Sequence, residues 1–449
     1  MKLVILDASR ESDVVRWSRG TVAGDLIKQN KGRTIWRVAA GSPGLFVKRF
    51  APTPLRDRAT KEARMLAALH RAGVRCPRPL ATARDDSGTY LVTEELAGSR
   101  DLYSLIAEGV PDLRGLLAKL AGVVRDLHEA GFEHQDLHAG NILVRDDDLF
   151  VLDVHRARRR TLSLGARLDG IAFMAMSFAD SVSLMEIHRF FRAYPLRDRK
   201  ELVAAWDRLR RIRREFCRRR AARCMHDGSE FGVRGNVFFR KGMNPEGLLD
   251  VPRETVKKTG RESLDRLPGG RFLKRTAASR ARRIWKNAHG LALRGIPTPK
   301  LFACGPGWVV GEWVEGPNLG DVVRRDVPEM RRAEREEFLF RLARFVRCLH
   351  ARGVCHRDLK SSNILSSERG FFLVDLDRIV FSGEVGDRDR IFNLAQLNAS
   401  VDAALTRGDR LRFLRYYVGR DRGRWLQLRE WIQEIMRVTV ARRHLWPPR

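Results

Sequence analysis

Two segments of the chain are near copies of each other. Leu127–Leu143 reads LHEAGFEHQDLHAGNIL, and Leu349–Leu365 reads LHARGVCHRDLKSSNIL, with nine of 17 positions identical at an offset of 222 residues. The same offset relates glycine and proline residues outside these segments. Such a match is typical of a tandem repeat, here of a unit of about 220 residues. We therefore predict two domains of ordinary size, residues 1–225 and 226–449.

The pattern around the duplicated segments predicts the same order of elements in both copies. Short β-rich runs separated by turn residues come first, and an apolar stripe at helical spacing follows. The fold class predicted is α+β, with two tandem units that each have a small β-rich N-lobe and a mainly helical C-lobe. In the first copy we predict strands at Asp25–Gln29, Thr34–Ala39, Leu45–Phe50 and Tyr90–Glu94, a helix at Arg58–Arg71, and a longer helix starting near Leu113.

The composition argues against several classes of protein. The 449 residues carry a formal net charge of +31, but 43% of them are hydrophobic, so the chain is not a disordered polycation. No apolar run reaches the ~18 residues of a membrane span, and the first residues lack a signal-peptide pattern, so we expect neither an integral membrane protein nor a secreted one. The six cysteines form no CxxC pair and no zinc-type cluster, which favours a reducing, cytoplasmic compartment.

The duplicated segment carries residues suited to phosphoryl transfer. In the first copy a His-x-Asp triplet is followed by four residues and then Asn141, and the next predicted strand ends at Asp153. Transfer from ATP needs a carboxylate beside the acceptor hydroxyl, and it needs oxygen ligands that hold Mg²⁺ against the phosphates. Asp136 fits the first role, and Asn141 and Asp153 fit the second. In the second copy the same roles fall to Asp358, Asn363 and Asp375.

Each copy also has a lysine near the end of a β-rich run. Lys48 can reach the α- and β-phosphates, and Glu62, 14 residues further on in the predicted helix, can pair with it. Lys274 is the counterpart in the second copy, but the constant offset carries Glu62 to Ile284. Because only the first copy has the complete set, we predict that it is the better catalyst, while two active sites remain an open alternative.

Both copies resemble the protein-kinase-like superfamily, and more closely the bacterial lipopolysaccharide kinase (Kdo kinase) family. The resemblance lies in HQDLHAGNIL, in VLDVHRAR and LVDLDRI, in RRIWKNAHGLALRGIPTPK, and in the late segments RFFRAY and RFLRYY. It covers nearly the whole chain, twice over. It implies ATP and Mg²⁺ as cofactors, and a Kdo or heptose hydroxyl of the lipopolysaccharide inner core as acceptor. The implied location is cytoplasmic, at the inner face of the inner membrane.

Both copies depart from the protein-kinase pattern at the turn that covers the phosphates. Where protein kinases have GxGxxG, each copy has a single glycine, Gly32 or Gly260, which we assign to nucleotide binding. The adjacent Lys31, Arg33 and Arg261 either replace backbone contacts by charge or are solvated turn residues. Neither metal-binding aspartate is followed by Phe-Gly, so regulation by a flipping DFG segment is not implied.

The acceptor stays open between several alternatives. Lys360 in HRDLK lies where protein kinases place a lysine that binds the γ-phosphate, which favours a protein Ser/Thr acceptor for the second copy. His138 in HQDLH is closer to kinases of small molecules, although it also fits a core histidine. A pair of pseudokinases that binds anionic glycolipid or a protein partner is the alternative outside enzymes.

The densest positive charge lies at Trp206–Cys224, which contains nine arginines. Such a run is either a solvated helix face or a contact for lipopolysaccharide precursors and the acidic surface of the inner membrane. Since the basic residues are mostly arginine, codon bias in a GC-rich genome is a further explanation of the charge. Nucleic acid is a less favoured partner because no RRM, KH, zinc-finger or helix-turn-helix signature accompanies the charge. The sequence gives no indication of the oligomeric state.

Overall fold

A computed structural model describes residues 1–30, 32–52, 57–260, 262–401, 403–419 and 422–441. The chain divides into two compact units, Met1–Arg213 and Arg214–Arg449. Among the described helices, none combines the length and the apolar character needed to cross a bilayer.

The first unit begins with sheet strands and continues mainly as helices. Its strands are β1 (Lys2–Ile5), β2 (Gly24–Asn30), β3 (Arg33–Val38), β4 (Leu45–Phe50), β5 (Pro79–Asp85), β6 (Gly88–Glu94), β7 (Arg100–Asp101), β8 (Phe132–Glu133), β9 (Ile142–Arg145), β10 (Asp148–Val151) and β11 (Arg158–Arg159). Its helices are α1 (Glu11–Ser18), α2 (Arg58–Arg71), α3 (Leu102–Glu108), α4 (Leu113–Glu129), α5 (Leu164–Phe178), α6 (Leu184–Ala193) and α7 (Arg199–Arg220), which contains the boundary between the units.

The second unit repeats this plan. Its strands are β12 (Phe231–Arg234), β13 (Val237–Arg240), β14 (Glu254–Thr259), β15 (Glu262–Leu267), β16 (Arg271–Arg275), β17 (Leu301–Gly305), β18 (Trp308–Glu312), β19 (Val354–His356), β20 (Ile364–Ser367), β21 (Gly370–Leu373) and β22 (Ile379–Phe381). Its helices are α8 (Ala278–Ala292), α9 (Leu319–Arg325), α10 (Arg332–Ala351), α11 (Asp387–Ser400), α12 (Arg407–Val418), α13 (Arg422–Leu426) and α14 (Leu428–Ala441).

The N-lobe sheets of the two units share one antiparallel order. The order is β5-β6-β4-β3-β2 in the first unit and β17-β18-β16-β15-β14 in the second. Lys48 on β4 lies opposite Ile35, and Lys274 on β16 lies opposite Leu264, so the two ladders align residue by residue. The predicted α+β fold, with a β-rich N-lobe and a helical C-lobe in each unit, is confirmed.

The main helices form where the sequence predicts them, for local reasons. Asp57 precedes α2, and its side chain accepts a hydrogen bond from the Thr60 N–H, which satisfies a free donor of the first turn. The stripe of α4 is buried at Leu117, Leu120 and Val124, as its helical spacing requires. The predicted bounds of α2 agree with the structure at both ends.

The sequence did not predict an addition at the free edge of each N-lobe sheet. Strand β1 pairs with β5 in the first unit, and the β12–β13 hairpin pairs through β13 with β17 in the second. These strands have only four residues each and lie outside the repeated text. Both signals used to find elements, repetition and periodicity, are therefore weak there.

Candidate active sites of the two units

The segment His134–Asn141 is held by hydrogen bonds between its side chains and nearby backbone groups. The Asp136 N–H donates to Nδ1 of His134 (3.2 Å), and Nε2 of His134 donates to the Leu152 carbonyl (2.8 Å). Burial lowers the pKa of His134, so the ring stays neutral and one nitrogen is free to accept. The Asn141 amide donates to the Asp136 carbonyl (2.9 Å), which leaves its oxygen as the atom that can face a cation.

The second unit reproduces this arrangement. The Asp358 N–H donates to Nδ1 of His356 (3.0 Å), and Nε2 of that ring contacts the Asp375 carbonyl (3.2 Å). The Asn363 amide donates to the Asp358 carbonyl (2.8 Å). Burial again lowers the pKa of His356. The two candidate catalytic segments therefore have the same internal geometry.

Asp153 and Asp375 both have left-handed backbone conformations, with φ of 57° and 58°. This conformation costs a residue with a side chain about 1 kcal/mol or more, and such strain clusters at functional sites. The backbone N–H just before each aspartate is fixed by the carbonyl of the nearby asparagine, Asn141 or Asn363, at 2.9 Å. Each candidate metal-binding aspartate is thus tied to the asparagine predicted to share the cation.

In the first unit the lysine, the helix glutamate and the aspartate lie together. Nζ of Lys48 is 2.6 Å from Oε1 of Glu62 and 3.5 Å from Oδ1 of Asp153. The Glu62 side chain is only 2% exposed, and its Oε2 has no hydrogen-bond partner among the described residues. A buried carboxylate with one oxygen unsatisfied is costly unless a cation is close, which here is Lys48.

Two further side chains converge on Asp153. Nη1 of Arg33 lies 2.7 and 2.8 Å from its two oxygens, and Nδ1 of His155 donates to Oδ1 at 2.8 Å. Burial alone would raise the pKa of Asp153, but the His155 hydrogen bond and the charges of Lys48 and Arg33 outweigh it and leave that pKa far below its usual range. Asp153 is therefore ionised at any physiological pH.

The helix of the second unit provides no such glutamate. Helix α8 contains no acidic residue, and Ile284 is buried in the apolar core. Lys274 lies 2.9 Å from Asp375. Burial opposes ionisation of that aspartate, but the charge and hydrogen bond of Lys274 outweigh it and lower its pKa. Lys360 lies 3.1 Å from Asp358, a contact that the first unit cannot make because His138 takes its place.

The single glycines lie in the turns between the first strands of each sheet. Gly260 joins β14 to β15 with φ of 57°, and Gly32 directly precedes β3. Nothing lies within 4 Å of where a Cβ would be at either position, so both leave open space above the sheet. Their role at the phosphates stays a prediction. Lys31 and Arg261, predicted as possible phosphate contacts, lie outside the described residues.

Sequence reasoning missed a buried amide network behind the second catalytic segment. The Asn393 amide donates to the His356 carbonyl (2.7 Å), and the Gln396 amide donates to the Arg357 carbonyl (2.8 Å). Oδ1 of Asn393 also contacts Nε2 of His350 (3.1 Å). The feature of the sequence that could have revealed this network is the spacing of Asn393 and Gln396, seven and four residues before Ser400.

A pair of serines aligns the two units at this point. The Ser177 hydroxyl accepts the Ala139 N–H, and the Ser400 hydroxyl accepts the Ser361 N–H, both at 2.8 Å. In the first unit, the residues seven and four positions before Ser177 are Gly170 and Phe173, which have no side-chain amide. That unit therefore cannot support its catalytic segment in the same way.

The arginine run of Trp206–Cys224 is helical up to Arg220 and partly neutralised. In the first unit, Arg208 and Arg211 pair with Asp169 at 3.2 and 2.7 Å. In the second unit, Arg219 pairs with Glu215 at 2.6 Å. The run is thus in part a solvated helix face with its own counter-charges, and a membrane contact through it stays a prediction.

The donor set of the first unit suits a hard divalent cation. Glu62, Asp153 and His155 each place one potential ligand atom within 4.8 Å of the others. The Asn141 amide nitrogen donates to the Asp136 carbonyl, which leaves the amide oxygen as a potential neutral ligand. Carboxylate and amide oxygens are the groups that Mg²⁺ prefers, so the residues fit the cation that kinase chemistry requires.

Comparison with known proteins supports the predicted resemblance. Residues 11–194 and 275–417 match the lipopolysaccharide kinase (Kdo/WaaP) family. The 3-deoxy-D-manno-octulosonic acid kinase of Vibrio parahaemolyticus is 30% identical over 149 residues, 32% of this chain and 55% of that protein. The lipopolysaccharide core heptose(I) kinase WaaP of Pseudomonas aeruginosa is 27% identical over 214 residues, 40% of this chain and 80% of that protein.

A solved structure of WaaP in complex with acyl carrier protein is 27% identical, covers 46% of this chain and 97% of its own, and has a TM-score of 0.37. The chain spans about half the length, or less, of the 3-deoxy-D-manno-octulosonic acid kinases that it matches. The family match extends over more than half of the chain and includes both catalytic segments. The chain belongs to the lipopolysaccharide kinase (Kdo/WaaP) family.

Proposed function

We propose that the protein is a kinase that transfers the γ-phosphoryl group of ATP to a hydroxyl of an inner-core lipopolysaccharide sugar, Kdo or heptose, and that the first unit does most of this work. The observation that carries the proposal is the Lys48–Glu62 pair at 2.6 Å, in which a buried glutamate holds a partly buried lysine beside Asp153. A buried lysine held by a glutamate next to a metal-binding aspartate is the arrangement that kinases use to orient phosphates.

Each residue of the first unit has a definite part in this scheme. Asp136 orients the acceptor hydroxyl and takes its proton as the oxygen attacks the γ-phosphorus. The bond between that phosphorus and the bridging oxygen breaks, and ADP leaves. Lys48, held by Glu62, binds the α- and β-phosphates. Positioning and charge stabilisation of this kind provide most of the catalysis in phosphoryl transfer.

Asn141 and Asp153 are the residues that would hold Mg²⁺. When bound, the cation neutralises charge on the β- and γ-phosphates. Arg33 occupies both oxygens of Asp153 in the structure, so it must release at least one of them for a cation. The released guanidinium then becomes available to a phosphate, which offsets the missing glycines of the turn.

The acceptor class is supported by the relatives, which are named as Kdo kinases and heptose(I) kinases. An acceptor that is an anionic glycolipid places the enzyme at the cytoplasmic face of the inner membrane as a peripheral protein. The net charge of +31 favours such a surface, since each basic residue near it contributes about 1 kcal/mol. The choice between Kdo and heptose is left to experiment.

The test is transfer of labelled phosphate from ATP to purified inner-core lipopolysaccharide precursor by the full-length protein. We expect Asp136→Asn to lower kcat by at least ~10²-fold, because it removes the group that orients the hydroxyl. Asp147→Asn is the matched control, since Asp147 is 92% exposed in the β9–β10 turn. It should retain full transfer.

Asp358→Asn decides between the units. Loss of transfer in Asp358→Asn with retention in Asp136→Asn would contradict the assignment to the first unit. Absence of labelling by intact protein that binds ATP would contradict the sugar acceptor. The acceptors to test next would be a protein, which Lys360 favours, and a small molecule, which His138 favours.

A further inference from the structure

When the two N-lobe sheets are aligned by their strand pairing, one position near the lysine carries opposite charges in the two units. The constant offset of 222 residues does not show this equivalence. Arg33 lies two residues before Ile35, the partner of Lys48. Glu262 lies two residues before Leu264, the partner of Lys274. The two residues thus occupy the same place relative to the phosphate-binding lysine, one as a cation and the other as an anion.

The reversal changes which elements are tied together. In the first unit the cation at this place contacts the metal-binding aspartate directly. In the second unit Glu262 instead accepts hydrogen bonds from the Thr276 hydroxyl (2.6 Å) and from Nη1 of Arg280. Arg280 lies in the first turn of α8, so this contact joins the helix to strand β15.

Arg280 makes a second contact that reaches the metal-binding segment. Its Nε lies 2.8 Å from Oδ2 of Asp377, two residues after Asp375, and the Asp377 side chain is only 4% exposed. Asn287 donates to the Leu376 carbonyl (2.7 Å), two turns further along α8. Hydrogen bonds to Glu262 and the charges of Asp377 and Asp375 raise the pKa of Arg280, so its positive charge is permanent.

The equivalent positions of the first unit are built differently. At the offset of 222, Arg280 corresponds to Arg58, which is exposed on α2, and Asp377 corresponds to His155. There, α2 is tied to the nucleotide site through Glu62 and Lys48. The second unit has lost that tie and has gained another that joins the same three elements: sheet, helix and metal-binding segment.

We propose that Arg280 is the positioning residue of the second nucleotide site, where it replaces the missing helix glutamate. It links α8 to β15 through Glu262 and to the segment after Asp375 through Asp377. Lys274 is thereby left to Asp375 and to the phosphates, and the second unit binds a nucleoside triphosphate. This inference rests on the proposed kinase function, but not on catalysis by the first unit.

The test is calorimetric titration of a non-hydrolysable ATP analogue with Mg²⁺ into the full-length protein carrying Lys48→Met, which disables the first site. Arg280→Ala combined with Asp377→Asn removes the link without leaving a buried unpaired charge. We expect this pair of changes to weaken binding about tenfold, or ~1.4 kcal/mol. Arg280→Lys should restore most of the affinity, because it keeps the charge. Arg283→Ala, exposed on the same helix, is the matched control and should bind normally.

Melting curves recorded on the same samples separate positioning from unfolding. Weaker binding by a protein that is folded at the titration temperature, with recovery in Arg280→Lys, supports the proposal. Unchanged affinity in the double variant overturns it, and so does an equal loss in Arg283→Ala. Absence of any binding by the Lys48→Met protein also overturns it, while sugar phosphorylation by the first unit would be unaffected.

Discussion

The two units have the same candidate catalytic segment but differ in the contacts around it. In the first, the N-lobe lysine is held by a helix glutamate, and the catalytic segment is supported from behind by Ser177. In the second, the lysine pairs with the aspartate, and Asn393 and Gln396 join Ser400 in holding the catalytic segment against α11. Each copy of the duplication has kept, or acquired, a different part of the machinery.

The motif alone does not reveal how the two sites differ. The His-x-Asp segments have the same internal hydrogen bonds in both units. What differs is the set of side chains that contact the candidate metal-binding aspartate. Asp153 contacts Lys48, Arg33 and His155 directly, while Asp375 contacts Lys274 and is influenced by the more distant charges of Lys360 and Arg280.

The largest expected effect is loss of transfer in Lys48→Met. Removing a preorganised cation from the site of developing charge typically costs ~10²–10³-fold in kcat. Labelled phosphate transfer to the glycolipid precursor measures it. Lys61→Met, an exposed lysine of the same α2 helix, is the control. An equally strong reduction of transfer in Lys274→Met would contradict the proposal that the first unit does most of the work.

A second effect concerns the acid stability of the first unit. Burial lowers the pKa of His128 from its ordinary value of 6.5 to about 4. The unfolded chain therefore binds a proton that the folded chain does not, between those two values. The contribution of neutral His128 to the free energy of unfolding is therefore fully present above pH 6.5. It is lost as the pH falls towards 4, and the total loss is up to ~3 kcal/mol.

Urea unfolding at pH 7.5 and pH 5 measures this loss. His128→Asn should reduce the difference between the two pH values, since it removes the titrating ring. His70→Asn, at an exposed histidine of α2, should leave the difference as it is in the original protein. An unchanged pH dependence in His128→Asn would assign the acid sensitivity to another group.

A third effect is confined to the second unit. Asn393→Ala leaves the His356 carbonyl and Nε2 of His350 without this partner, and an unsatisfied buried group costs about 1–3 kcal/mol. Hydrogen exchange should rise in peptides around His356 and stay constant around His134. Asn244→Ala, at an exposed loop asparagine, is the control. Equal changes in both catalytic segments would contradict the separate support of the two units.

The smallest effect concerns Arg33. Since Arg33 and a divalent cation compete for Asp153, Arg33→Ala should lower the Mg²⁺ concentration at half-maximal transfer about fivefold, or ~1 kcal/mol for a partly exposed pair. The Mg²⁺ concentration at half-maximal transfer for Arg33→Lys should lie between those of Arg33→Ala and the original protein. A higher Mg²⁺ requirement in Arg33→Ala would mean that Arg33 acts mainly on phosphate and does not limit cation binding.

Much of the fold could be read from local patterns. The capped and amphipathic helices, the strand carrying Lys48 and the order of Asp136, Asn141 and Asp153 are properties of residues close in sequence. Periodicity and spacing report such properties directly. The added edge strands could not be read, because a four-residue strand such as β1 depends on β5 for its pairing.

The sequence by itself predicted two kinase-like units and the residues proposed to carry the chemistry. Only the tertiary structure decided how those residues are held. Arg33 and Asp153 are in contact although they are 120 residues apart in the sequence. Only the strand pairing shows that Glu262 is the counterpart of Arg33, because the β15–β16 turn is shorter than the β3–β4 turn. Contacts between distant side chains depend on packing and strand register, which act across the fold and leave no period in the sequence.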